Sequence, residues 1–142
     1  MIGLKIDKSM FFDTKKVKDA VDKGTRKVLS KFGAFVRTAA QSRIRKRRRI
    51  SRPGESPSSH TGLLKKLIYF GFDAARRSVV IGPTPLRGQA EAPPLLEYGG
   101  KASRKRRSGE HYVATYRQRP FMGPAFEQEK KKLPGLWSDS VK

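Results

Sequence analysis

Residues 14–45 read TKKVKDAVDKGTRKVLSKFGAFVRTAAQSRIR, and within them Val17, Val21, Gly24, Val28, Phe32, Phe35/Val36 and Ala39 recur at steps of three and four. That spacing lays one apolar stripe along a helix. Asp13 or Thr14 offers the N-cap, so a helix is predicted from there to about Arg45. At about 1.5 Å per residue it is on the order of 50 Å long. A compact chain of 142 residues has a radius of gyration of only about 14–15 Å. Part of the stripe is therefore expected to pack on another subunit or to protrude.

Upstream, Ile2, Leu4 and Ile6 alternate with Gly3, Lys5 and Asp7, the period of a short strand. Downstream, Pro53, Gly54 and Pro57 stop any helix, and residues 51–59 read as a polar loop. Leu63, Leu64, Leu67 and Ile68 behind Thr61 predict a short second helix. The period then changes to two: Ile68, Phe70 and Phe72 form one strand and Val79 to Gly82 its hairpin partner. A proline loop from Pro83 to Pro94 leads to at most one helical turn at Leu95 to Tyr98, closed by Gly99 and Gly100. Residues 101–107 show no apolar periodicity and read as solvated and mobile. Tyr112 to Tyr116 is strand-like, and Phe121 to Leu133 is a closing helix that Pro134 breaks, with Leu136 and Trp137 as a last anchor. The expected class is α+β: a small antiparallel sheet packed with one long N-terminal helix and a C-terminal helix, in a single domain over 1–142.

Lys and Arg number 33 against 12 Asp and Glu, a formal net charge of +21. A chain so charged repels itself and suits an anionic partner. There is no cysteine, which excludes disulfides, thiol catalysis and Cys-containing zinc sites. No apolar run approaches the roughly 18–20 residues of a membrane span, and the first residues lack the apolar core of a signal peptide. The expectation is a protein used inside a cell and away from membranes.

Enzymatic chemistry finds little support. His60 and His111 stand far apart in loop-like segments, with no HExxH pair, so neither is expected to hold a metal. A divalent-metal nuclease would need clustered carboxylates, whereas Glu91 and Glu97 flank a proline loop and Glu127 and Glu129 point to different helix faces. Residues 82–88 are too rich in proline to cradle phosphates. No catalytic residue, metal or cofactor is expected. The strongest compositional signal is instead two basic runs: Arg43, Arg45, Lys46, Arg47, Arg48, Arg49 and Arg52, and then Lys101, Arg104, Lys105, Arg106 and Arg107. Both suit an anionic surface, nucleic acid or protein, in segments near 43–60 and 100–110 that are expected to be flexible. Neither carries the interleaved aromatics of a single-strand platform, and no helix-turn-helix, zinc-finger or RNA-recognition signature is present.

Four stretches, taken in order, carry a family resemblance. They are Gly54-Glu-Ser-Pro-Ser-Ser-His60-Thr61-Gly62-Leu63-Leu-Lys-Lys-Leu-Ile, Val79-Val-Ile-Gly82-Pro, Leu95-Leu-Glu97-Tyr98-Gly99-Gly and Arg119-Pro120-Phe121-Met-Gly-Pro124-Ala125-Phe. Together they resemble the neck or tail-completion proteins of long-tailed double-stranded DNA bacteriophages, the family that includes minor tail protein Z-like and head–tail joining components. The basic segments 43–52 and 101–107 are heavier than the family pattern. Physics gives the motif residues architectural work. Thr61 caps the short helix, Gly99 or Gly100 allows a left-handed turn, Pro120 ends a strand, and Pro124 sits in a helix's first turn. Glu97 either pairs with a basic residue such as Arg119 or is exposed.

The resemblance implies a non-enzymatic virion protein of the neck and tail region, assembled in the host cytoplasm. It implies a homo-oligomeric ring, six- or twelve-fold, that joins the head connector to the tail around the DNA channel. Its implied partners are a head-closure or connector protein, a tail terminator or tail tube protein, and the genomic DNA in the lumen. For the basic runs, acidic surfaces of neighbouring rings are favoured slightly over DNA, since a channel that must release DNA quickly gains nothing from tight phosphate binding. The alternatives are a small basic nucleic-acid-binding protein and a tail terminator-like protein.

Overall fold

The computed structural model describes residues 13–85 and 91–140; the expected strand at residues 2–6 lies outside them. Helix α1 spans Thr14–Arg43, 30 residues and about 45 Å. Asp13 is its N-cap, its carboxylate accepting from the Lys16 amide at 3.1 Å. The predicted stripe is the buried face: Gly24, Val28, Phe32, Gly33, Val36, Ala39 and Ala40. Its first two members are the exception, with Val17 47% and Val21 48% exposed. The helix stops where Ile44 turns extended (φ −83°, ψ 115°).

The remaining elements are β1 (Arg45–Lys46), β2 (Ser58–Ser59), α2 (Leu63–Lys66), β3 (Ile68–Asp73), β4 (Ser78–Pro83), α3 (Ala92–Tyr98), β5 (Gly100–Lys105), β6 (His111–Tyr116), α4 (Met122–Lys130) and α5 (Leu133–Ser138). The fold is mixed α+β, with the long helix packed on small antiparallel sheets and on a C-terminal helix. The β structure is divided among three two-stranded sheets. β3 and β4 pair antiparallel from Ile68↔Pro83 to Asp73↔Ser78, β5 and β6 from Gly100↔Tyr116 to Lys105↔His111, and β1 and β2 form a two-residue parallel pair. The core gathers Phe32, Val36, Ala39, Ala40 and Ile44 of the α1 region, Leu64, Ile68, and Phe121 and Ala125 at the start of α4.

Four local expectations are corrected. The basic run at 101–107 is largely strand: β5 takes in Lys101 to Lys105. Its strand character comes from the backbone ladder with β6, which needs no apolar alternation when only Ala102 of the strand is buried. Helix α3 is seven residues, not one turn, because Pro93 and Pro94 occupy its first turn, where a missing N–H costs nothing. Pro134 likewise starts α5. The N-cap of α2 is Gly62 (φ 77°), not Thr61. Thr61 sits one residue earlier and accepts from the Leu63 amide at 3.3 Å, while Ser59 Oγ accepts from the Gly62 amide at 3.0 Å.

Gly33 is where α1 meets the β3–β4 hairpin most closely. A Cβ there would lie 2.8 Å from Phe70 Cδ2 and 2.8 Å from Val79 Cγ2. Both neighbours are stiff, so Gly33→Ala is expected to lose about 1–2 kcal/mol despite a helix-propensity gain of up to about 1 kcal/mol. Urea unfolding followed by circular dichroism checks this; an unchanged or raised midpoint would show that the hairpin can shift.

Candidate functional site

Three of the four resemblance stretches meet at the start of α4. Phe121, at its N-cap, has no side chain able to satisfy the first amides of the helix. Glu97, at the end of α3, does so from 24 residues away. Its Oε2 accepts from the Phe121 and Met122 amides at 2.9 Å each, and its Oε1 accepts from the Gly123 amide at 2.7 Å. A carboxylate suits this end of a helix twice over, since it fills orphan donors and meets the positive end of the dipole. Glu97 is therefore neither exposed nor paired with Arg119.

Arg119 belongs to the same junction by another route. Its amide donates to the Leu96 carbonyl at 2.6 Å, while its Nε donates to the Ser51 carbonyl at 3.0 Å. The Gly54 amide reaches the Gln118 carbonyl at 2.9 Å. Gly99 (φ 72°) completes the junction: a Cβ would stand 3.0 Å from the Tyr116 carbonyl oxygen and 3.1 Å from the Gln118 amide. Phe121 and Ala125 are fully buried beneath it, and Pro124 lies in the first turn of α4. Gly82, Glu97, Tyr98 and Phe121 share the wall of a cavity of about 360 Å³ with Pro93 and Pro94. His60, Thr61, Gly62 and Leu63 lie apart, around the start of α2, with His60 and Leu63 exposed.

The first basic run is held to this junction. The expected flexible loop carries several tethers: the β1–β2 pair, Pro57 and Ile44 in the interior, a buried Ser51, and the bonds from Gly54 and Arg119 already described. The switch from helix to extended chain at Ile44 directs Arg43, Arg45 and Arg47 to one cavity of about 520 Å³, shared with Ser42, Gly54, Glu55 and Ser56. Arg47 Nε donates to Ser58 Oγ at 2.9 Å, and an Arg43 terminal nitrogen donates to Gln128 Oε1 at 3.0 Å. Lys46 turns the other way, its Cδ lying near Gly62. Arg48, Arg49 and Arg52 are exposed.

The second run lies on the β5–β6 hairpin. Arg104 stacks over the Tyr116 ring at 5.3 Å and donates from Nε to its hydroxyl at 2.8 Å; Arg106 stacks over Tyr112 at 5.2 Å and pairs with Glu110 at 2.9 Å. Lys101, Lys105 and Arg107 are exposed, and among the described residues none has a carboxylate within ion-pair distance. Reading the run by composition missed Tyr112 and Tyr116 because they belong to the partner strand. Their spacing of four in a period-two segment, facing the same side as Arg104, is the signal that could have found them.

Among the described residues no three His, Cys, Asp or Glu side chains come together as a metal site. Glu127 is exposed, whereas Glu129 is buried and paired with Lys132 Nζ at 2.6 Å. No described helix is long and apolar enough to cross a membrane. Comparison with models of known protein families, with curated proteins and with solved structures gave no match.

Proposed function

We propose that this chain is a non-enzymatic structural component of a phage virion, a ring-forming neck or tail-completion subunit that joins the head connector to the tail around the DNA channel. The observation that supports it most is the Glu97 junction. The Leu-Glu-Tyr-Gly and Arg-Pro-Phe stretches that carry the resemblance are two halves of one device, a carboxylate from α3 seated on the first three amides of α4. Residues with an architectural duty of that kind suit a scaffold.

A ring draws further support from the half-exposed Val17 and Val21 at the start of α1. A neighbouring subunit in a heterologous cyclic contact would cover them. Genomic DNA passes through such a ring, and the connector and the tail terminator or tail tube are its neighbours along the axis.

Light scattering after size exclusion, with negative-stain microscopy, tests this on the purified chain. Closed rings of several subunits are expected, and Val17→Asp/Val21→Asp is expected to return them to monomers with unchanged circular dichroism. A monomer at every concentration, combined with sub-micromolar and steeply salt-dependent binding to duplex DNA, would instead establish a small nucleic-acid-binding protein. The projecting Arg–Tyr stacks of the β5–β6 hairpin favour that second reading.

A further inference from the structure

We propose that the cavity between the end of α1 and the 47–58 loop is a binding site for a phosphate group. The alternation set up at Ile44 brings Arg43, Arg45 and Arg47 to its wall, together with Ser42 and Ser56. Glu55 is the single acid there, and its carboxylate is engaged by the Arg52 amide at 3.2 Å. Three guanidinium groups against one carboxylate leave an excess of two positive charges. A phosphomonoester carries about −1.5 to −2 at neutral pH, with three strong acceptor oxygens, so it matches both the charge and the number of donors. A carboxylate ligand would balance half of that excess and fill one guanidinium fork.

The site is also built in advance of any ligand. Arg47 is held through Nε by Ser58 Oγ, and Arg43 through a terminal nitrogen by Gln128 Oε1, so both are oriented at little further entropic cost. The Arg43 Nε is buried with no hydrogen-bond acceptor. Burying such a donor is unfavourable unless something accepts from it. Its residue lines this cavity, but an atom so sealed from solvent is out of reach of an oxyanion there, so a ligand meets only the terminal nitrogens of Arg43. The cavity, about 520 Å³, has room for a phosphate with part of the group that carries it.

Because a chain of net charge +21 attracts every anion, the test must separate a site from a field. Inorganic phosphate is titrated calorimetrically into the full chain at fixed ionic strength, exchanged against chloride. One saturable site is expected. Arg45→Gln/Arg47→Gln should weaken it about tenfold or more, as loss of charge-assisted hydrogen bonds requires. Lys101→Gln/Lys105→Gln removes the same charge from the β5–β6 hairpin and should leave it unchanged. Arg45→Lys, which keeps charge and loses the fork, should weaken binding by a smaller factor and serves if the double variant does not fold. Absence of a saturable site, or equal loss in the cavity and hairpin variants, overturns the proposal. A duplex oligonucleotide without terminal phosphates then identifies the source. If saturating phosphate displaces it from the wild-type chain and not from Arg45→Gln/Arg47→Gln, the ligand is the nucleic-acid backbone. If the duplex is unaffected, the ligand is free phosphate or a small phosphomonoester.

Discussion

Glu97→Ala is expected to destabilise the chain by about 3 kcal/mol. A lost helix cap costs about 1 kcal/mol, and each hydrogen bond to a charged acceptor about 1.5–3 kcal/mol when its partner is left unsatisfied. Glu97 receives three such bonds, from the amides of residues 121, 122 and 123, and two of them are partly buried. Water can replace the carboxylate at the exposed Gly123 amide, so the total falls well short of three independent losses. Glu97→Gln keeps one acceptor oxygen and loses the charge, and about half the effect is expected. Urea unfolding monitored by circular dichroism measures both; a loss below about 1 kcal/mol for the alanine variant would mean that the junction is held by packing alone.

The second large effect falls on the first donor of that cap. Phe121 is fully buried, among the largest side chains in the core, and clustered with residues of the α1 region, Leu64 and Ile68. Phe121→Ala is expected to cost about 3–5 kcal/mol, the sum of lost transfer energy and an unfilled cavity. Phe121→Leu, which keeps most of the volume, should cost less than about 1.5 kcal/mol. The check is the same unfolding experiment, with dye binding to detect loosened packing. Because Phe121 both fills the core and presents its amide to Glu97, the two alanine substitutions should be non-additive by about 0.5 kcal/mol or more in a double-mutant cycle. Strict additivity would show that core and cap act independently.

Local periodicity separates the elements legible in the sequence from those that long-range pairing decides. Helix α1 was legible almost to its last residue, because its stripe repeats every three or four positions and Asp13 precedes it as a cap. The β3–β4 hairpin was legible from a period of two in its first strand and a short β-branched run in its second, on either side of a polar turn closed by Asp73. Strand β5 was not, because Gly-Lys-Ala-Ser-Arg-Lys has no apolar alternation and owes its conformation to the ladder with β6. The prolines misled at α3 and α5, where they start a helix instead of barring one. The partners of Glu97 are not legible in the sequence, since they are backbone amides that no side-chain pattern marks.

What the residues determine unaided is local: the long helix and its cap, the first hairpin, the absence of cysteine chemistry, and a charge of +21 with twelve of the 33 basic residues in two runs. Each depends on neighbours within a turn or two, where spacing along the chain is also spacing in space. Only the tertiary structure decides which of those charges work together. Docking α1 against α4 brings Arg43 to Gln128, 85 residues away in the chain, and pairing β1 with β2 places Arg47 beside Ser58. Out of a run of seven basic residues, three thereby line one cavity, Arg43 and Arg47 half-buried and Arg45 exposed, while Arg48, Arg49 and Arg52 are exposed away from it. A charge count treats those residues as equivalent; the packing of distant segments, with the desolvation and hydrogen bonds it imposes, makes them different.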